Sequence, residues 1–248
     1  MSITDHKPGQ PLLLVGAIAS FALLLMVFWD ITHQGVLTSI NPHVHAYLQS
    51  IRTPLLDKIM VLFTLLGDRK CILGFAVAIL GWLVWQRHWR AATHWLMLMV
   101  LVLVSALAIK YGYYSPRPMP DLPTNSLSSL PSGHTVFTLA FFGFLAVLIG
   151  EEVSSRKKIF YYSIAFCLVS LAAFSRIYLG PHWLTDIIAS FLLGLMCVLF
   201  VTYSYRRNRS THLSAKTLKA ASMIILIIIW TGYCTMQYTT TLNFHLQQ

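Results

Sequence analysis

Long apolar runs alternate with short polar stretches along nearly the whole chain. Crossing a bilayer takes roughly 17 to 25 apolar residues. Seven runs approach or meet that length, at 12–29, 70–86, 92–112, 135–150, 159–175, 183–205 and 220–238. The fourth and fifth are short, which predicts nearly upright spans or ends that extend into the interface. The stretch 41–66 breaks the pattern, because Pro42, Pro54, Asp57 and Lys58 interrupt its apolar residues. It predicts one or two interfacial or half-inserted helices, with a short span near 55–67 as the other reading. The first run carries a small-residue "AIAS" pattern at 17–20. Cleavage there would leave too short an apolar region for a signal peptide, so a retained span is expected.

Composition supports the pattern. Hydrophobic residues make up 56% of the 248-residue chain and charged residues 10%, against about 25% charged in a soluble domain. The formal net charge of +10 does not indicate nucleic acid, because the cations lie in short clusters between apolar runs. Cys71, Cys167, Cys197 and Cys234 lie in or beside those runs with no zinc spacing, and read as packing residues.

Lysine and arginine set the expected orientation. With the N-terminus inside, the inner segments hold 11 cations and the outer ones 7. The outer set includes Lys110, Arg117 and Arg176, which need a reason to lie on the cation-poor side.

Three motifs supply one. In "KYGYYSPRP" (110–118), Pro116 and Pro118 stiffen the turn that carries Arg117. In "PSGH" (131–134), Ser132 is placed to cap the next helix. Gly133 admits a ligand close to the backbone, and the helix N-terminus offers an anion site. In "SRIYLGPHWLTDI" (175–187), Gly180 and Pro181 break one helix and start another. His182 and Asp186, four apart, share a face of the new helix. Each motif alone also admits a plain reading: a snorkelling lysine, a capped helix start, a polar interfacial turn. Together they place three cations, two histidines, an aspartate and a helix N-terminus on one membrane face. That set suits a tetrahedral phosphate. A carboxylate can fix one nitrogen of an imidazole and leave the other free to attack. His134 has no acid within one turn of its own helix, since Phe137 and Thr138 stand there.

These motifs resemble the signature of the type 2 phosphatidic acid phosphatase superfamily of membrane lipid phosphatases. Its three parts are Lys, six residues, Arg-Pro; then Pro-Ser-Gly-His; then Ser-Arg, five residues, His, three residues, Asp. All are present in order. The resemblance covers about 55–205. It implies an all-α polytopic membrane helical bundle: 1–54 as an N-terminal span and interfacial segment, 55–205 as the six-helix phosphatase core, and 206–248 as a basic cytoplasmic loop, a seventh span and a short tail. His182 is then the nucleophile that forms a phosphohistidine, Asp186 its orienting partner and His134 the acid for the leaving oxygen. Lys110, Arg117, Arg176, Ser132 and Gly133 hold the phosphoryl group. No cofactor or metal is implied. Asp121 is the only other acid in the 110–134 loop. The implied substrate is a lipid phosphate or diphosphate, either undecaprenyl diphosphate or a phospholipid phosphate. Membrane lipids are the surrounding partners, and no oligomeric state is implied. The implied location is a bacterial inner membrane with the site facing outward. Phosphotransfer to another lipid is the neighbouring activity. A transporter, the remote alternative, predicts ionisable residues near mid-bilayer and an internal repeat, and neither is visible. Tyr111, Tyr113, Tyr114 and Trp183 read as an interfacial aromatic belt.

Overall fold

The computed structural model describes residues 10–119, 128–207 and 213–246, and all its regular structure is helical. The elements are α1 (Gln10–Thr32), α2 (Val36–Ser50), α3 (Pro54–Leu66), α4 (Arg69–Trp85), α5 (Trp89–Gly112), α6 (Gly133–Gly150), α7 (Ser155–Tyr178), α8 (Leu184–Arg207) and α9 (Ala215–Leu246). Six of them, α1 and α5 to α9, are long and apolar enough to cross a membrane. α4, at 17 residues, is at the short end of that range.

α6 lies at the centre. Fifteen of its 18 residues are glycine or apolar, and it is buried on nearly all sides from Thr135 to Gly150, as expected of a helix that is hydrophobic all round. Phe141 anchors it, with its ring 5.2 Å from that of Trp95 on α5 and 5.5 Å from that of Phe75 on α4. The Trp95 indole N–H, buried with the ring, donates to the Ala76 carbonyl at 3.1 Å. Small residues allow close approach to α8: a Cβ at Gly194 would meet Leu139 Cδ2 at 2.9 Å. α1 packs chiefly on α8, and α9 packs on α3 and α4.

Two short helices replace the ambiguous 41–66 stretch. Asp30 at the end of α1 turns the chain into α2, its carboxylate accepting from Leu37 N (3.1 Å) and Thr38 N (2.8 Å). α3 starts at a proline in its first turn, with Thr53 as its cap. Arg52 and Asp57 close the α2–α3 corner with paired bonds of 3.2 and 3.1 Å.

Three helices extend beyond their apolar runs. α7 takes the second of the two expected forms: it covers 24 residues, 155–178, because polar Ser155–Lys158 extend the helix beyond the apolar run. α6 begins at Gly133, two residues before the run 135–150. Residues 239–246 are not a separate tail, since α9 continues helical through Leu246. Its 32 residues span about 48 Å at 1.5 Å per residue, well beyond a hydrocarbon core of about 30 Å.

Candidate active site

The motif residues meet at one end of the bundle. Lys110 is in the last turn of α5, and its Nζ donates to the Ser128 carbonyl at 2.8 Å. Arg117 lies in the following loop and donates to the Pro181 carbonyl at 3.0 Å. The loop re-enters the protein through three buried serines: Ser128 Oγ accepts from Ser115 N (3.0 Å) and Leu130 N (3.2 Å), and Ser129 N donates to the Ser115 carbonyl (2.8 Å). Asp121 lies outside the described residues.

Ser132 holds the N-cap position of α6, but its side chain does not cap the helix. Its hydroxyl instead accepts from Thr135 Oγ1 at 3.3 Å, and its backbone N–H donates to Ser190 Oγ at 2.7 Å. The expected cap is therefore replaced by a tie between α6 and α8. Gly133 and His134 follow on the cavity wall, so the positive end of α6 faces the cavity.

Arg176 ends α7, and its Nη1 donates to Thr64 Oγ1 on α3 at 2.6 Å. The chain then turns through Gly180, whose φ of +90° suits glycine. A Cβ there would also collide with Met119 Cε. His182 emerges from this turn, only 4% exposed. Asp186 Oδ2 accepts from Trp183 N at 2.9 Å and lies 3.4 Å from His182 Nδ1. α2 fixes the start of α8: Asn41 Nδ2 donates to Thr185 Oγ1 (2.8 Å), and Thr185 N donates back to Asn41 Oδ1 (3.2 Å). Trp183 is more than a belt residue, since its indole N–H donates to the Pro116 carbonyl at 2.9 Å. Tyr111 and Tyr114 are exposed.

A cavity of about 380 Å³ unites the constellation. Lys110, Arg117, Gly133, His134, Arg176 and His182 all line it, whereas Ser132 and Asp186 stand behind its wall. Burial, and then the fields of Arg176, Arg117 and Lys110, hold the His182 imidazole well below its usual pKa. It is therefore neutral near pH 7, with Nδ1 facing Asp186. Burial also lowers the Arg117 guanidinium, with Asp186 opposing that shift and Arg69 adding to it.

Part of the site lies beyond the motifs. The α3–α4 corner contributes Thr64, Asp68, Arg69 and Lys70, and α9 contributes Tyr233, Gln237, Thr241 and Phe244. Asp68 caps α4 through Lys70 N (2.8 Å) and accepts from Tyr233 Oη (2.7 Å). Its other oxygen lies 3.9 Å from His134 Nε2. His134 thus has an acidic neighbour after all, brought from another helix. Gly67 makes this approach possible, since a Cβ there would stand 3.0 Å from Thr138 Oγ1 and 3.4 Å from His134 Cβ. The sequence signals were "GDRK" at 67–70, a charge cluster between two apolar stretches, and Gln237 with Thr241, polar residues four apart in an apolar helix.

Residues 110–210 match the PAP2 superfamily. Phosphatidylglycerophosphatase B of Bacillus subtilis is 28% identical over 188 residues, which cover 73% of this chain and 91% of that protein. The crystal structure of a transmembrane PAP2 type phosphatidylglycerolphosphate phosphatase from Bacillus subtilis superposes with a TM-score of 0.65 at 25% identity, covering 75% of this chain and 93% of that one. The crystal structure of Aquifex aeolicus LpxE shares the fold, with a TM-score of 0.51 at 23% identity over 65% of this chain and 94% of that one. Sequence and fold agree over the stretch that carries all three motifs, and there the chain is similar to membrane phosphatases of the PAP2 superfamily.

Proposed function

We propose that the protein releases phosphate from a phosphorylated membrane lipid, a phospholipid phosphate or undecaprenyl diphosphate, through a phosphohistidine on His182. The observation that carries this reading is a neutral, buried His182 that shares one cavity with His134 and three cations. Lys110, Arg117 and Arg176 hold the phosphoryl oxygens, and the N-terminus of α6 at Gly133 adds its positive end. Ser132 acts from behind the wall, by tying α6 to α8. His182 Nε2 attacks phosphorus while Asp186 steadies the Nδ1 side. As the P–O bond to the lipid breaks, His134 gives its proton to the leaving oxygen. Water then attacks the phosphohistidine, passes a proton to His134, and inorganic phosphate leaves with His182 restored. The largest contribution is electrostatic, since the cations are in place before charge develops on the transferring group.

The proposed setting is a bacterial inner membrane with this end of the bundle outward. The test is phosphate release by the purified protein in detergent, with EDTA present throughout because cations supply the charge stabilisation. Undiminished release is the expected result. Label from radioactive lipid phosphate should survive an alkaline quench in the wild type and be absent in His182→Ala. Loss of activity with EDTA and its return with magnesium would overturn the metal-independent route.

A further inference from the structure

The charge lining the cavity exceeds what one phosphoryl group needs. Lys110, Arg117 and Arg176 already match a phosphomonoester, which carries about −1.5 to −2 near pH 7. Arg69 and Lys70 add two more cations from the start of α4. Five cations line the cavity against Asp68, with Asp186 behind the wall, so the cations exceed the carboxylates by three before the proton on His134 is counted. His182 is neutral and does not change the count.

Arg69 is directed to the cavity by its packing. Its Cδ lies 3.8 Å from where a Cβ would stand on Gly133, so its stem crosses the opening residue of α6. Its charge is also felt at Arg117. Opposite, α9 brings Gln237 and Thr241 to the same cavity. α9 is held there by Tyr233 on Asp68 (2.7 Å) and by packing on α3. Arg69, Lys70, Gln237 and Thr241 all lie outside the family-matched stretch 110–210.

We infer that this wall, Arg69 and Lys70 on α4 facing Gln237 and Thr241 on α9, is a subsite for a second phosphate of the substrate, beside the one that is cleaved. The inference rests on the phosphatase reading above. A phosphomonoester joined to one further phosphate linkage carries about three negative charges, since each phosphodiester adds about one. The cationic surplus is large enough to cover that charge. Arg69 contributes a planar fork of donors, Lys70 a point charge, and the amide and hydroxyl of α9 neutral hydrogen bonds.

Two lipid chemistries present such a pair: a polyprenyl diphosphate, with adjacent phosphates, and a glycerophospholipid whose phosphodiester headgroup ends in a phosphomonoester. Purified full-length protein in detergent is assayed on both and on phosphatidic acid, which has one phosphate. Wild type should favour one two-phosphate lipid over phosphatidic acid by about tenfold or more in kcat/KM, and which one identifies the spacing. Arg69→Gln should remove most of that preference, through KM rather than kcat, and Arg69→Lys should restore part of it. Gln237→Ala should move the preference in the same direction by a smaller factor. Equal kcat/KM on all three lipids, or an Arg69→Gln loss equal on all three, would overturn the subsite and leave the phosphatase reading standing. No release from any of them by folded wild type would overturn both.

Discussion

His182 and His134 are both cavity histidines, but their surroundings differ. His182 is nearly sealed in the turn before α8 and backed by Asp186 in the first turn of that helix, whereas His134 meets Asp68 across a 3.9 Å gap. His182→Ala should therefore abolish turnover of every substrate. His134→Ala should slow lipid phosphates by about 10²–10⁴-fold, the usual worth of a placed proton donor. It should spare an activated aryl phosphate, whose leaving group needs little protonation, and Asp68→Asn should follow the same pattern more weakly. Equal losses of His134→Ala on both substrates would remove its role as the acid. The pH profile has a definite sign. The reactive His182 is neutral and its pKa is depressed, so kcat/KM should persist below pH 6.5 and fall only as pH passes through that lower value. Arg117→Gln removes one of the depressing fields, so the acidic limb should move to higher pH.

Helices fix the site through contacts that are remote in the chain. Asn41 on α2 exchanges two hydrogen bonds with Thr185, 144 residues away, at the start of the helix that carries Asp186. Asn41→Ala leaves buried Thr185 groups unpaired, so the expected cost is about 1–3 kcal/mol. It should appear as a lower melting temperature in detergent together with reduced kcat. Gly180→Ala combines strain at φ +90° with a clash on Met119, so its losses should be larger. An unchanged melting temperature in both variants would show that these contacts carry no load. Such pairs explain what was legible from sequence. The motif residues lie within short spacings, so local chemistry and helical period revealed them. The spans were legible because hydropathy is a local property. Asp68 and His134 are 66 positions apart, and their meeting depends on how closely α4 packs on α6 at Gly67. The same holds for α9, whose polar face has meaning only once it lies against α3 and α4. The Ser132 cap failed because its hydroxyl accepts from the Thr135 hydroxyl in place of a backbone N–H.

At the scale of the whole molecule, charge separates the two ends. The end opposite the site gathers Arg90, which donates to the Ser204 carbonyl, and Arg206, paired with Glu151 at 2.6 Å. Gln10 at the start of α1 donates to the Arg206 carbonyl at 2.7 Å, which puts the N-terminal end of α1 there too. The expected bias of 11 inner cations to 7 outer ones understates the asymmetry. Of the seven, Arg69, Lys70, Lys110, Arg117 and Arg176 line the cavity, and Arg52 is paired with Asp57. Only Lys58 remains outside both groups. On the proposed phosphatase reading, anion binding accounts for the site-end cations and the positive-inside rule for those at the other end. The site should therefore face outward. In a background with Cys71, Cys167, Cys197 and Cys234 replaced by alanine, a cysteine at exposed Tyr114 reports the site end and one at exposed Gln86 the other. In intact cells an impermeant maleimide should label Tyr114→Cys directly and Gln86→Cys only after lysis. The reverse pattern would place the chemistry on the cytoplasmic face and show that the functional cations themselves had set the orientation.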